Sequence, residues 1–406
     1  MSLALLGDSL IYAILPVYAE NFGLTIPMVG ILLAANRIVR IFIYTFISKL
    51  VSTFGARALC IIAAIIATLS TFLYGISTGF FPLLCARILW GIAYAILLLS
   101  TLAYAVTKKS EAGTRIGTSQ AIQRIGPIIA LLLGTWLATI WSPNDVFLIL
   151  AIPTSFSILI ALTLPKHEKA PQTQRPRPAK LTKPTVLDLL FFIQGYAIDG
   201  LFAVSITLML AEKTSLANAV IGGGALLALR HVGEALAAPI FGNLGDKFGA
   251  VKIFLISAAL TIFGLILVAL DEVVFGAIIL LIFRGAIAAL GPTIVAKQFD
   301  GNETVLNNLA RLQSWRDLGA AAGPIVTGFA LIYVSAELQH FILAIVFGLM
   351  GVINLAHGEL MMLGAYTTYV TQLIFKLPIL KPFYNSYIIV SIFLAFIVSG
   401  VVGILL

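Results

Sequence analysis

The sequence predicts an all-α polytopic membrane protein built as two pseudo-symmetric bundles of six helices, and its composition, an internal repeat and its charge distribution support this fold. Of the 406 residues, 60% are hydrophobic and only 10% are charged. The apolar residues come in runs of about twenty, the length that a helix needs to cross a bilayer. Because backbone amides in lipid must be bonded within their own segment, and the runs lack the alternation of barrel strands, each run is expected to be helical.

An internal repeat divides the chain into two halves. Residues 30–56 and 224–250 lie 194 positions apart and agree at 8 of 27 positions. Two same-sense halves, each with an even number of spans, are typical of membrane proteins in which one half rocks against the other around a central site.

Polar, Gly and Pro clusters separate the apolar runs into twelve predicted spans and four regions. The spans are expected at about 3–18, 27–48, 58–76, 82–106, 117–140, 146–164, 189–210, 219–241, 253–270, 274–296, 312–334 and from 341 onward. The regions are a first bundle at 1–164, a basic linker at 165–188, a second bundle at 189–340 holding spans 7–11, and 341–406 holding span 12 and an extra helix.

The basic residues predict the orientation. Fifteen Lys and Arg residues fall in alternate loops, whereas the intervening loops hold Lys213 alone. This asymmetry predicts a multi-pass protein of the inner or plasma membrane with its N-terminus in the cytoplasm. The same loops account for the net charge of +8, so nucleic-acid binding is not expected. The expected partners are the lipid bilayer and a small solute, and the chain is expected to act as a monomer.

One loop carries a signature known from a transporter family. Residues 242–252 read GNLGDKFGAVK, and Gly242, Asp246, Lys247 and Gly249 resemble the segment between spans 2 and 3, and again 8 and 9, of the major facilitator superfamily. The resemblance implies a tight glycine turn and a latch in which Asp246 bonds a neighbouring helix in one conformation only. The N-terminal copy has Ser52 in place of the family's Asp, so only the C-terminal copy is intact.

Two further motifs extend the resemblance over about residues 1–340. Arg87 and Gly91 match the family's Arg-x-x-x-Gly motif in the fourth span, and Arg284 stands 197 positions later. Gly323 and Pro324 lie in an eleventh-span segment similar to the family's glycine-proline motif, whose small residues allow close helix contact and a bend. The resemblance implies a secondary transporter that works by alternating access. The fifth-span copy of this motif, which accompanies exporters, is degraded, so it does not predict export.

The C-terminal segment resembles a different family. Residues 341–372, and most specifically 351–359, are similar to the start of the permease subunits of ABC importers for branched-chain amino acids and urea. A gene fusion or a joined gene model is the preferred interpretation. His357 and Glu359 are expected in a turn at the cytoplasmic face, and a functional pair at membrane depth is the alternative.

Charges within the spans predict an anionic solute. Seven arginines and four acids lie there, and an unpaired charge in the membrane is costly unless it faces water or a counter-ion. The predicted substrate-binding residues are Arg37, Arg40, Arg124, Arg230 and His231. Mutual neutralisation of Arg230 and Glu234, four residues apart, is an equal alternative. For Arg124, helix packing is the alternative to solute contact.

The acids are candidate proton carriers. Asp8 and Asp199 occupy equivalent positions in spans 1 and 7, and burial makes a carboxylate able to load and release a proton. A helix–helix hydrogen bond is the competing interpretation for both. Glu234 is the third candidate. Arg316 and Asp317 are expected near the cytoplasmic end of span 11, as a gating salt bridge or a solvated pair.

The sequence therefore predicts a proton-coupled secondary transporter of a small, anionic organic solute, without cofactor or metal. Three other functions compete with it. A proton-coupled exporter of drugs or metabolites is disfavoured by the seven arginines, an ABC permease subunit is supported by the C-terminal segment alone, and a scaffold or receptor would carry no solute. An enzyme is not expected, because no metal cluster or nucleophile-base arrangement is evident, and no phosphate-binding loop for ATP is present.

Overall fold

A computed structural model describes residues 1–105, 112–165, 184–298, 302–355, 357–376 and 381–405. Within these ranges the chain is helical and contains no strand. The predicted all-α fold class is confirmed. The side chains of Asp246, His357 and Glu359, and the surroundings of Gly242, lie outside what the structure describes.

Helices α1–α6 form the N-terminal half. The short α1 follows a 3-10 turn, and α5 passes through a π-helical stretch, Ala130–Gly134, into the helical turn Thr135–Leu137. The bounds are α1 Leu6–Ile14, α2 Ile26–Phe54, α3 Ala56–Ile76, α4 Phe80–Ala105, α5 Ala112–Ile129 and α6 Pro143–Thr163. The continuation of α5 through Ala130–Gly134 and Thr135–Leu137 is counted with α5.

Helices α7–α12 form the C-terminal half, and α13 and α14 follow. Helix α7 begins at Val186–Gln194 and continues through a π-helical stretch, Gly195–Phe202, into Ala203–Lys213. The other bounds are α8 Leu216–Phe248, α9 Ala250–Ala269, α10 Val273–Gln298, α11 Asn302–Ala330, α12 Ala336–Leu355, α13 His357–Phe375 and α14 Tyr387–Leu405.

Polar caps fix where several helices begin. The Ser142 side chain accepts a hydrogen bond from the Asp145 amide at the start of α6, and Ser215 does the same at α8. Thr185 and Asp188 form a reciprocal capping box at α7. Such caps satisfy amides that have no partner within the helix.

Equivalent glycines make the turns after α2 and α8. Gly55 has φ 84° and Gly249 has φ 95°, a region that disfavours residues with a Cβ. The two glycines are 194 positions apart, as in the sequence repeat. The glycine turn expected in the segment 242–252 lies at Gly249, because α8 continues through Gly242 to Phe248.

The two halves use the same helix pairings. Helix α2 packs on α4 and α3 on α6 in the first half, just as α8 packs on α10 and α9 on α12 in the second. The sequence repeat therefore corresponds to a structural repeat. Helix α12 completes the second half by packing on α9 and α7, although it begins before the predicted boundary at 340/341. The last two helices, α13 and α14, pack mainly on each other.

Eight helices are long and apolar enough to cross a membrane within the described residues, and three shorter apolar helices accompany them. The chain is thus a multi-pass membrane protein. The count of twelve spans stays a prediction, partly because α11 carries too many polar residues near its start to qualify by composition.

Glycines bring the halves together at the end predicted to face outward. A Cβ at Gly30 of α2 would overlap the Pro324 carbonyl of α11, and one at Gly224 of α8 would overlap Leu131 and Thr135 of α5. Gly30 and Gly224 are again 194 positions apart. Two equivalent contacts, α2 with α11 and α8 with α5, therefore join the halves at this end.

Candidate functional site

Asp199 is the centre of a charged cluster between the two halves. It lies in the π-helical stretch of α7 and is almost fully buried. Arg284 and Arg230 approach its Oδ1 atom, with N–O distances of 2.7 and 3.1 Å. Arg316 and Arg37 approach its Oδ2 atom, with N–O distances of 3.1 and 3.9 Å. Because Arg37 belongs to α2 and the other residues to the second half, this contact crosses between the halves.

Glu234 of α8 is a second acid of the cluster. It forms an ion pair with Arg284 of its own half and with Arg124 of α5, where the Nη2–Oε2 distance is 2.8 Å. Arg124 also lies 3.3 Å from His231, measured between Nη1 and Nδ1. Glu234 thus links the halves a second time. Mutual neutralisation of Arg230 and Glu234 is one of two equal alternatives from the sequence; in the structure Glu234 pairs with Arg284 and Arg124, and Arg230 pairs with Asp199.

These contacts define a central cluster with more positive than negative charge. Its five arginines face two acids, an excess of three positive charges when the histidine is counted as neutral. Within the described part of the chain, the buried Nε atoms of Arg37, Arg230 and Arg284 have no hydrogen-bond partner. The members of the central cluster are Arg37, Arg124, Arg230, Arg284, Arg316, Asp199, Glu234 and His231.

Accessibility differs within the central cluster. The side chain of Arg284 is 1% exposed, whereas those of Arg316 and Arg124 are 24% and 39% exposed. Arg284 also bridges both acids. Arg284 is therefore placed to hold the two acids in position. Arg316 and Arg124 are more accessible to a solute.

The first half contains the counterpart of the Asp199–Arg284 pair. Asp8 of α1 pairs with Arg87 of α4 and accepts a hydrogen bond of 3.3 Å from Asn36 Nδ2. Arg87 is fully buried, and its Nε donates to the Leu32 carbonyl at 2.9 Å and its Nη2 to the Tyr12 hydroxyl at 3.2 Å. With its donors so occupied, Arg87 ties helices together.

Two predicted site residues lie apart from the acids of the central cluster. The guanidinium of Arg40 stacks 4.4 Å from the centre of the Tyr94 ring, an arrangement favourable to a cation. Asp317 accepts a hydrogen bond of 3.2 Å from Gln313 on the same helix. Its neighbour Arg316 points instead to Asp199, so the two residues do not form the pair expected near the end of the helix.

The predicted gating glycines lie at close helix contacts. A Cβ at Gly91 of α4 would overlap the Asn36 backbone of α2, and one at Gly323 of α11 would overlap the backbones of Tyr196 and Gly200 of α7. Pro324 lies within α11 at its contact with α2. Lys247 is exposed at the end of α8. Their roles in gating stay predictions.

The sequence predicts six of the eight members of the central cluster as solute or proton residues; it places Arg316 among the gating residues and does not predict Arg284 as a site residue. Arg284 was noted as the equivalent of Arg87, and the equivalence of Asp8 and Asp199 was the signal that Arg284 would pair with Asp199. Nothing in the sequence indicated that Arg316 would reach the same carboxylate. In the described part of the chain, no group of three or more His, Cys, Asp or Glu residues is placed to hold a metal.

Comparisons with known proteins agree with this architecture. The sequence profile of the Major Facilitator Superfamily matches residues 1–211, and that of the branched-chain amino acid transport system permease component matches residues 343–406. Multidrug resistance protein MdtG of Proteus mirabilis (strain HI4320) is 25% identical over 372 residues, which cover 84% of this chain and 90% of that protein.

Solved transporter structures have the same fold. The nucleoside transporter NupG superposes with a TM-score of 0.71 at 17% identity, covering 88% of this chain and 97% of NupG. The human organic anion transporter MFSD10 superposes with a TM-score of 0.62 at 15% identity, covering 86% of this chain and 95% of that chain.

Proposed function

This chain belongs to the major facilitator superfamily, and we propose that it carries a small anionic organic solute across the inner or plasma membrane by alternating access, with protons as the coupling ion. The halves would close over the solute at one end of the bundle and reopen at the other. Because both halves of one chain complete the central cluster, a monomer suffices for this mechanism. The N-terminus is proposed to lie in the cytoplasm.

The central cluster is the single observation that carries the anion proposal. Its five arginines exceed its two acids by three charges. An excess of positive charge at membrane depth is costly, and an anion that enters the crevice between the halves lowers this cost. Guanidinium groups also bind carboxylate and phosphate oxygens with two parallel hydrogen bonds. The proposed solute-binding residues are Arg37, Arg40, Arg124, Arg230, Arg316 and His231.

Glu234 is the residue best placed to couple solute movement to protons. Its side chain is 12% exposed and pairs with Arg124 of the opposite half. When the halves separate, Glu234 loses this cationic partner, which makes protonation easier. Asp8 and Asp199 remain candidates. Asp8 pairs with an arginine of its own half, and Asp199 keeps three arginines of its own half when Arg37 withdraws, whereas Glu234 keeps Arg284.

Transport by the purified chain in liposomes tests this function. With an imposed pH gradient, a panel of radiolabelled organic anions and cations would be screened for uptake by the unaltered protein and by Arg37→Ala. We expect at least one anion to be accumulated and Arg37→Ala to reduce that uptake at least about tenfold, the effect of losing roughly 1.4 kcal/mol of binding. Uptake of cations alone, with normal transport by Arg37→Ala, would refute the anion assignment.

Drug export is the second candidate, and the curated relative supports it. The Proteus mirabilis protein that aligns with 84% of this chain is named for multidrug resistance. Export of an anionic drug would use the same arginines, whereas a cationic drug would meet the excess positive charge. Drug accumulation would be measured in cells that express the chain, in cells that express its Arg37→Ala variant and in cells that express neither. Lower accumulation of cationic drugs in the first two than in the third would favour a cation exporter.

A further inference from the structure

We infer that the solute of the central cluster carries a phosphate monoester group, and that the Asp199 carboxylate occupies the place of this group when the site is empty. This inference rests on the proposed anion transport and names the chemical class of the anion. Four observations support it: the charge excess, the excess of hydrogen-bond donors, the convergence of the guanidinium groups, and the position of Asp199.

The excess of positive charge in the central cluster favours a solute with more than one negative charge. The central cluster has five arginines and two acids. A bound monoanion leaves two positive charges uncompensated between the halves, whereas a dianion leaves one. Since uncompensated charge at membrane depth is costly, the site should prefer a dianion. A phosphate monoester carries about −1.5 to −2 charges at neutral pH.

The hydrogen-bond donors also exceed the acceptors. Five guanidinium groups present about twenty-five N–H donors, and two carboxylates offer about eight acceptor sites. Consistent with this imbalance, the buried Nε atoms of Arg37, Arg230 and Arg284 have no hydrogen-bond partner among the residues that the structure describes. A ligand that only accepts hydrogen bonds, and does so through several oxygens, therefore fits these groups. The three terminal oxygens of a phosphate monoester meet this requirement.

The guanidinium groups converge on one point. Arg230, Arg284, Arg316 and Arg37 reach the two oxygens of Asp199 with N–O distances from 2.7 to 3.9 Å. An extended dicarboxylate would need two separate cationic poles, whereas a compact phosphoryl group places its charge and oxygens at one centre. The convergence thus favours a phosphate monoester over a dicarboxylate.

The Asp199 carboxylate already provides a negative charge and two oxygens at the place where a phosphoryl group would bind. Its carboxylate neutralises one charge and is 3% exposed at the meeting point of both halves. A phosphoryl group that binds Arg316, Arg230 and Arg37 would release them from Asp199, while Arg284 can retain its contacts with Asp199 and Glu234. Asp199 would then act as a built-in competitor of the solute.

Binding of two matched probes tests the inference. Phenyl phosphate and phenyl sulfate have the same ring and a similar tetrahedral head, but above the second pKa of the phosphate ester, about 6, only phenyl phosphate is a dianion. Their dissociation constants would be measured by calorimetry on the purified full-length chain. We expect phenyl phosphate to bind at least about tenfold more tightly, the effect of roughly 1.4 kcal/mol. Equal binding of the two probes, or no binding of phenyl phosphate, overturns the inference.

A substitution of Asp199 tests the competition. Asp199→Asn removes one negative charge from the central cluster, so we expect phenyl phosphate to bind about tenfold more tightly than to the unaltered chain. Asp271→Asn is the matched control, because Asp271 lies in an exposed loop at a positive φ that Asn tolerates. Unchanged or weaker binding by folded Asp199→Asn contradicts the competition; if that variant does not fold, the two probes decide the inference alone.

The result is distinguishable from a failure of the proposed function. If benzoate and other monoanions are transported in liposomes while phenyl phosphate does not bind, anion transport stands and the phosphate inference is wrong. If only cations are transported, both are wrong.

Discussion

At the scale of single residues, the sequence identifies the charged side chains but not their partners. Arg37 and Arg40 are three residues apart on α2 and were expected to share one face, yet Arg37 reaches Asp199 and Arg40 stacks on Tyr94. Helical periodicity gives the face on which a residue lies, whereas long arginine side chains choose their partners from other helices. The pairs of Asp8 with Arg87 and Asp199 with Arg284 could be anticipated, because equivalent positions in a repeat meet equivalent partners.

Arg87→Gln should destabilise the protein. Arg87 is fully buried and pairs with Asp8, and removing one partner of a buried pair costs about 3–5 kcal/mol. We expect a lower temperature of thermal unfolding in detergent than for Arg57→Gln, the matched control, since Arg57 is only partly buried and donates a solvent-exposed hydrogen bond to the Leu162 carbonyl. Asp8→Asn combined with Arg87→Gln should recover part of the loss, because no buried charge is then left alone. Equal unfolding temperatures for the two single variants would show that Arg87 is not structural.

Glu234→Gln should uncouple transport from protons. The amide cannot take up a proton, so accumulation driven by a pH gradient should fall at least about tenfold, while exchange of labelled for unlabelled solute continues. Both rates would be measured in liposomes with the solute found in the screen. Glu272→Gln is the control, because Glu272 is exposed in the loop before α10. Normal accumulation by Glu234→Gln would assign proton coupling to another residue.

At the scale of helices, the sequence predicts which helices exist and in what order they follow. It predicts less well where each helix ends and where its geometry departs from an α-helix. Hydrophobic runs indicate most of the helices, because burial in lipid requires them. The sequence predicts that the eighth span ends near residue 241, where a polar, glycine-rich segment begins, whereas α8 extends to Phe248. The π-helical stretch around Asp199 also lacks a sequence signal. Such stretches are frequent at functional sites, and this one carries the acid at the centre of the cluster.

Gly249→Ala should weaken the turn between α8 and α9. At φ 95° and ψ 125° an alanine Cβ is strained, at a cost of about 1–3 kcal/mol. Gly55→Ala should behave alike, because Gly55 makes the equivalent turn at φ 84°. Gly400→Ala is the contrasting variant, since Gly400 lies within α14 with open space around it and alanine favours helices. The temperature of thermal unfolding should fall for Gly249→Ala and Gly55→Ala and should not fall for Gly400→Ala. Unchanged unfolding temperatures of both turn variants would contradict the account.

At the scale of the whole molecule, duplication explains both the architecture and the location of the site. The repeat at 194 residues predicts which helices are equivalent, and the structure pairs α2 with α11 just as it pairs α8 with α5. How deeply the charges of one half reach into the other could not be predicted, because this depends on how closely the halves approach. For the C-terminal segment too, the sequence does not predict the packing. Its sequence resembles another family, yet α12 packs as the last helix of the second half.

Gly30→Val should open the end of the bundle where the halves meet. The added side chain would collide with the Pro324 carbonyl, so α2 and α11 could not close there. Labelling of Thr135→Cys, in a chain without its two native cysteines, reports this opening, because Thr135 is fully buried against Gly224. We expect faster reaction with a maleimide in Gly30→Val than in the control Gly400→Val. Equal rates would mean that this contact does not close the site.

The central claim is that one anion site is shared by the two halves, and anion binding to variants of each half tests it most directly. Arg37→Gln changes the first half and Arg230→Gln the second, and both arginines contact Asp199. Dissociation constants for the transported anion would be measured by calorimetry for both variants and for the control Arg57→Gln. The account predicts that Arg37→Gln and Arg230→Gln each bind the anion at least about tenfold more weakly than the unaltered chain. Arg57→Gln is predicted to bind it as tightly as the unaltered chain. Undiminished binding by either Arg37→Gln or Arg230→Gln would contradict a shared site.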